Sequence, residues 1–258
     1  MKWTNRNMER LKDLIVELTK KEMKVRYKRS YLGYLWSLLN PLTLALIFFF
    51  AFKVVMKVGI DDYPLFLIAG LFPWQFLSNS INTSVMAFVS NASLIKKTSF
   101  PREAIIYSVI LSELIHFMLS LPVIVVFLLI YGGFPTWQWL PGLAVLIAAQ
   151  SLMISGAALA AASVNLFFRD LERITSILLN LLFYATPIVY SMRIMPEGTG
   201  KMMLLNPLAP LILSYQQLFL EGALNVEYSA IAALWGIFFF VCGRLVYTRL
   251  EWRLAEAL

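Results

Sequence analysis

The sequence predicts an all-α integral membrane protein with six transmembrane helices, and three observations carry that prediction. The first is composition. Of 258 residues, 60% are hydrophobic and only 14% are charged, against the ~25% charged that is usual in soluble domains. The second is length. Six apolar segments, at 35–57, 64–89, 104–130, 141–167, 174–190 and 229–247, suit a hydrocarbon core of ~30 Å, which takes about 20 helical residues. The third is charge placement. With six spans, every Lys and Arg except Lys53, Lys57, Arg193 and Lys201 falls on one side. The positive-inside bias makes that side cytoplasmic, so both termini are expected inside.

Residues 1–33 come before the first span. Within 8–25, Met8, Leu11, Leu14, Ile15, Leu18 and Val25 form one helical stripe, with Lys and Glu elsewhere. This predicts an amphipathic interface helix lying in the membrane surface, its lysines near anionic headgroups. The stretch "KKEMKVRYKRSYLGYLWSLLNP" (20–41) then passes from dense positive charge into apolar sequence. Gly33 permits a sharp turn there, and Tyr31, Tyr34 and Trp36 sit where interfacial aromatics belong. A plain juxtamembrane anchor explains the charge equally well.

The transmembrane domain is expected over 34–258. Its second span carries Pro73 and an amide series, Gln75, Asn79 and Asn82, at i, i+4 and i+7 on one face. Unpaired amides are costly in lipid. The face therefore meets other helices or lines a polar path, and both readings stand. The third span holds Glu113 and His116 at i and i+3. They are either a proton relay or a mutually satisfied structural pair. In the fourth, "SLMISGAALAAAS" offers Gly156 and Ala160 as a close-packing pair. The outer segment 191–228 includes an apolar stretch, 202–220, broken by Asn206, Pro207 and Pro210 and carrying Gln216 and Gln217. That pattern predicts short re-entrant or interfacial helices. A seventh span would place the arginine-bearing C-terminus outside.

Several function classes are excluded. The net charge of +7 does not point to nucleic acid, because the basic residues abut apolar spans. Cys242, the lone cysteine, permits no intrachain disulfide. The N-terminus does not read as a signal peptide, since its apolar run is long enough to span. One His and one Cys cannot build a usual metal site, and no nucleophile elbow is present. "PEGTGKM" (196–202) only echoes a phosphate loop: the first glycine is missing at the required spacing and Met follows Lys201. No internal repeat is evident.

Several stretches together resemble one family. "KVRYKRSYLGYLWSLLNP" (24–41) resembles the approach to the first span in the membrane subunits of polysaccharide ABC exporters, which carry O antigen, capsule or teichoic acid. "LIKKTSFPREAI" (94–105) resembles their cytoplasmic loop between spans two and three. "NLFFRDLERI" (165–174), "YATPIVY" (184–190) and "LLNPLAPLILSYQQLFLEG" (204–222) resemble later segments in the same order. A departure occurs at Gln216 and Gln217, where relatives often carry a basic residue after Tyr215.

The resemblance implies a multi-pass subunit of the bacterial inner membrane that forms a homodimer and works with two cytoplasmic ATPase subunits. ATP and Mg would bind in those partners, with no cofactor in this chain. The cargo would be a lipid-linked polysaccharide crossing through a channel at the dimer interface. The loop 91–102 would couple to the ATPase through Ser93, Leu94, Ile95, Lys96, Lys97 and Thr98, with Leu94 and Ile95 filling a pocket and the lysines at its rim. Lys24, Arg26, Lys28 and Arg29 would meet the lipid headgroup at the substrate entrance. Sugars present hydroxyls and flat C–H faces, which suit amides and rings. The expected pore lining is therefore Phe72, Trp74, Gln75, Phe76, Asn79 and Asn82 in span two, with Tyr184, Tyr190 and Tyr215 near the outer exit. Two rivals remain. One is a proton-coupled carrier using Glu113 and His116. The other is a membrane-embedded transferase, which calls for clustered His, Asp or Glu at one membrane face.

Overall fold

The computed structural model describes residues 5–28, 30–57, 59–60, 62–98, 100–192, 203 and 205–253, without the side chains of 5–8, 34 and 37. The expectations placed on Arg29, Arg193, Lys201, the 196–202 turn, and the side chains of Met8 and Tyr34 lie outside the described residues. Every regular element among those residues is helical.

Helix α1 (Asn5–Arg26) contains no Gly or Pro and is rich in Leu, Lys and Glu, all good helix formers. It buries Leu18, Thr19 and Met23, with Leu11, Leu14 and Ile15 packed partly beneath it. Its face is not left to lipid. It lies along the first half of α6 (Glu103–Ile130). The Thr19 hydroxyl reaches Ser108 O at 3.3 Å, the Ser112 hydroxyl reaches Met23 Sδ at 3.0 Å, and the Tyr27 hydroxyl lies 3.2 Å from His116 Nε2. Each pair is 89 residues apart, so the two helices run parallel in a fixed register. Val25, expected on the buried stripe, is 61% exposed. The contact with α6 follows Met23 and Arg26 at this end and leaves Val25 on the far side.

Gly33, at φ +48°, makes the turn out of this segment, and its N–H donates to Ser30 Oγ at 3.1 Å. A 3-10 turn (Gly33–Leu35) leads into α2 (Trp36–Phe48), which continues as a π-helical stretch through Val55.

Helix α3 (Tyr63–Val85) is the centre of the molecule. It is buried on nearly every side from Leu65 to Leu77, as a helix with apolar residues all round must be. The Tyr63 hydroxyl ties its start to Val189 O at 2.7 Å. Beside the proline, Gln150 Nε2 donates to Pro73 O at 2.7 Å, so a side chain of α7 is tied to the α3 backbone where the span is interrupted.

Two short helices, α4 (Ala87–Ser90) and α5 (Ala92–Lys97), turn the chain into α6. Then come α7 (Trp139–Asn165), α8 (Leu171–Ala185), α9 (Ala209–Leu220) and α10 (Val226–Leu250), the last ending in a 3-10 turn (Glu251–Arg253). Helices α7 and α10 press together on glycine. A Cβ at Gly156 would strike the Phe239 carbonyl, one at Gly243 would strike the Gly156 carbonyl, and one at Gly236 would lie 2.6 Å from Ala149 O. Gly156 thus packs closely, as its small-residue setting predicted, against the Phe239 backbone and Gly243 on α10. A chain of rings crosses the core between α3, α6 and α9: Phe76 to Phe117 at 5.6 Å, Phe117 to Tyr215 at 5.7 Å, and Tyr215 to Phe219 at 5.9 Å between centroids.

Among the described residues, four helices are long and apolar enough to cross a membrane: Leu38–Val55, Glu103–Ile130, Trp139–Asn165 and Val226–Arg253. Two of the six expected spans do not qualify, for different reasons. Helix α3 is long enough, but its second half is rich in amides and hydroxyls. Wrapped by other helices, it does not need an apolar face toward lipid. Helix α8 has 15 residues, about 22 Å at ~1.5 Å per residue. Helix α9 is shorter still, with 12 residues, and is almost wholly buried.

Candidate functional site

Three helix faces and the end of α1 enclose a cavity of about 320 Å³. Helix α3 contributes Phe72, Gln75, Phe76 and Asn79, and α6 contributes Glu113, His116, Phe117 and Ser120. Both sets have the spacing i, i+3, i+4, i+7, so each is a continuous helical face. Helix α2 adds Trp36 and Asn40 one turn apart, and Arg26, Tyr27 and Ser30 close the site from the end of α1.

Glu113 is 2% exposed and forms an ion pair with Arg26 Nη2. Burial disfavours the Arg26 charge, but the carboxylate outweighs it and the guanidinium pKa ends up raised. His116, 7% exposed, faces Tyr27 edge-on with centroids 5.6 Å apart. Of the two expectations for Glu113 and His116, the mutually satisfied pair is corrected: Glu113 pairs with Arg26, and the Tyr27 hydroxyl, just past α1, lies 3.2 Å from His116 Nε2. The parallel register explains this: consecutive residues at the end of α1 reach consecutive turns of α6.

Of the expected pore residues, the cavity gathers Phe72, Gln75, Phe76 and Asn79. Asn82 is exposed beyond it. Trp74 is buried against Phe183, with centroids 5.5 Å apart. Tyr215 is fully buried among rings. Tyr184 is 64% exposed, and the Tyr190 hydroxyl donates to Tyr184 O at 3.1 Å. Among the described members of the basic set, Arg26 alone reaches the cavity, while Lys24 and Lys28 stay exposed. Tyr27, Ser30, Trp36, Asn40, Phe117 and Ser120 were missed as lining residues. The α6 spacing around Glu113 signals Ser120, but nothing in the sequence sets α1 beside it. Gln216, the unusual residue after Tyr215, is 4% exposed and donates to Pro187 O at 3.1 Å, a structural role.

The loop between α3 and α6 forms a second locus. Ile95 is 7% exposed and belongs to the core, and Leu94 is packed partly against it. Ser93, Lys96, Lys97 and Thr98 face outward. Ile95 thus anchors α5 to its own chain, and the outward face is polar and basic. The loop is tied on both flanks. Lys21 Nζ donates to Asn91 Oδ1 at 2.7 Å, Arg102 Nη1 donates to Glu251 O at 2.7 Å, and Arg244 pairs with Glu103.

Residues 13–220 match the family described as ABC-2 type transporter. An O-antigen export system permease protein of Klebsiella pneumoniae is 46% identical over 252 residues, covering 98% of this chain and 97% of the relative. A protein of the same description from Myxococcus xanthus is 35% identical, with 85% of each chain covered. A polysialic acid transport protein of Escherichia coli is 26% identical over 80% of each.

Proposed function

Because this chain belongs to the ABC-2 type transporter family, we propose that it is the transmembrane subunit of an ATP-driven exporter of a lipid-linked cell-surface polysaccharide in the bacterial inner membrane. The observation that carries the reading is similarity to an O-antigen permease over 98% of the chain. A homodimer of six-span subunits, with both termini cytoplasmic, encloses the path. Two separate ATPase subunits bind ATP and Mg and dock beneath. The basic outward face of α5 suits an acidic rim, and its ties to α1 and α10 suit the transmission of a push. Lys24 and Lys28, exposed at the end of α1, suit the anionic headgroup, with Arg29 beside them in sequence. Tyr184 and Tyr190 suit an outer exit.

The carrier reading is weakened because the Glu113 carboxylate is engaged by Arg26. The test is deletion of the gene in its own strain together with affinity purification of the tagged chain. The reading predicts loss of surface polysaccharide, with the glycan retained inside, and a co-purifying ATPase. Normal surface glycan in the deletion strain would refute it.

A further inference from the structure

The geometry points to the cavity between α1, α2, α3 and α6 as a binding site for an uncharged sugar unit of the cargo, not for its phosphate. This rests on the proposed export of a glycan. The first argument is charge. Among the described residues of the cavity wall, the cationic side chain is Arg26, and it is already matched by the buried carboxylate of Glu113. A phosphate entering here would have to displace that carboxylate and would leave it buried beside a second anion, an arrangement that burial penalises strongly. A neutral ligand meets no such conflict.

The second argument is surface chemistry. Trp36, 47% exposed, offers an open ring surface that suits the C–H face of a pyranose, and the buried Phe72 and Phe76 give the wall behind it an apolar lining. Asn40, Gln75 and Asn79 offer amides that both donate and accept, which suits hydroxyls. The Glu113–Arg26 pair adds charge-assisted partners for hydroxyls without adding net charge. An acyl chain would leave these amides unpaired, which disfavours lipid as the occupant.

The third argument is size and access. About 320 Å³ is at the low end of the ~300–1,000 Å³ typical of small-molecule sites, so it fits a sugar unit and not a folded chain. Trp36 is 47% exposed, and Asn40 and Asn79 are exposed, so the site is reachable. The division of labour follows: the exposed lysines of α1 meet the anion, and the cavity reads the glycan.

The test uses the full transporter in membranes, with Asn79→Cys or Asn40→Cys placed in a Cys242→Ser background. Maleimide labelling of the new thiol is timed with two probes. One is the strain's own surface polysaccharide, freed of lipid by mild acid. The other is sodium pyrophosphate. The expected result is labelling slowed at least threefold by the glycan at either position and unchanged by pyrophosphate, with Val25→Cys slowed by neither. Protection by pyrophosphate alone, or by neither probe, would overturn the inference. The deletion strain separates the two levels. If deletion removes surface glycan but no protection is seen, only the sugar site fails. If deletion leaves surface glycan intact, the export reading fails with it.

Discussion

Lys21 Nζ donates a 2.7 Å hydrogen bond to Asn91 Oδ1 and so fastens the N-terminal helix to the start of the short helix that faces the cytoplasm in the proposed topology. Asn91 is 7% exposed and its amide also donates to Ala87 O at 2.9 Å, so its orientation is fixed. Hydrogen bonds of this kind contribute roughly 0.5–1.5 kcal/mol net. Lys21→Met is expected to lower unfolding stability in detergent by about 1 kcal/mol. Lys21→Arg should retain most of it. The check is thermal unfolding of both variants.

The ion pair between Arg26 and Glu113 gives a second expectation. Removing one partner of a buried pair typically costs about 3–5 kcal/mol. Arg26→Met should fall at the low end, because the arginine side chain is 35% exposed. Arg26→Met with Glu113→Leu should recover much of the loss, since no buried charge remains. A double-mutant cycle from unfolding curves measures the coupling.

The glycine contact between α7 and α10 makes a third. Gly243→Ala would drive a methyl into the Gly156 carbonyl, and backbone cannot move aside as a side chain can. The expected destabilisation is at least the ~1–3 kcal/mol of ordinary overpacking. Gly59→Ala, with nothing within 4 Å of the added Cβ, should cost much less. Expression level and thermal unfolding of the two variants provide the comparison.

Charge reversal on α5 gives a fourth. Lys96→Glu with Lys97→Glu should reduce ATPase co-purification at least tenfold, on the order of 1.4 kcal/mol, while membrane insertion stays normal. Undiminished co-purification would remove these lysines from the docking surface.

Much of the fold was legible from composition and periodicity. The long apolar helices at 104–130 and 141–167 fall within two residues of α6 and α7 at each end. The amide series on α3 was legible as a face, and two of its members, Gln75 and Asn79, do meet one cavity with the neighbouring Phe72 and Phe76. Hidden from the sequence was which helix would cover which. Hydrophobic spacing shows that α1 has an apolar face, but it does not distinguish lipid from α6 as its cover. The partner of Glu113 was hidden for the same reason: Arg26 lies 87 positions away, and only the parallel register of two helices brings them together. The resemblance implies an outward anchor at Ile95, yet its side chain is buried in the core of its own chain.

The most direct test of the central claim is reconstitution. The purified chain, alone or with the ATPase that co-purifies with it, is placed in vesicles with fluorescent lipid-linked glycan, and transfer across the bilayer is followed. Transfer should require both proteins and hydrolysable ATP, and a pH gradient should not replace them. Movement of the glycan by this chain alone, driven by a proton gradient without nucleotide, would contradict the account.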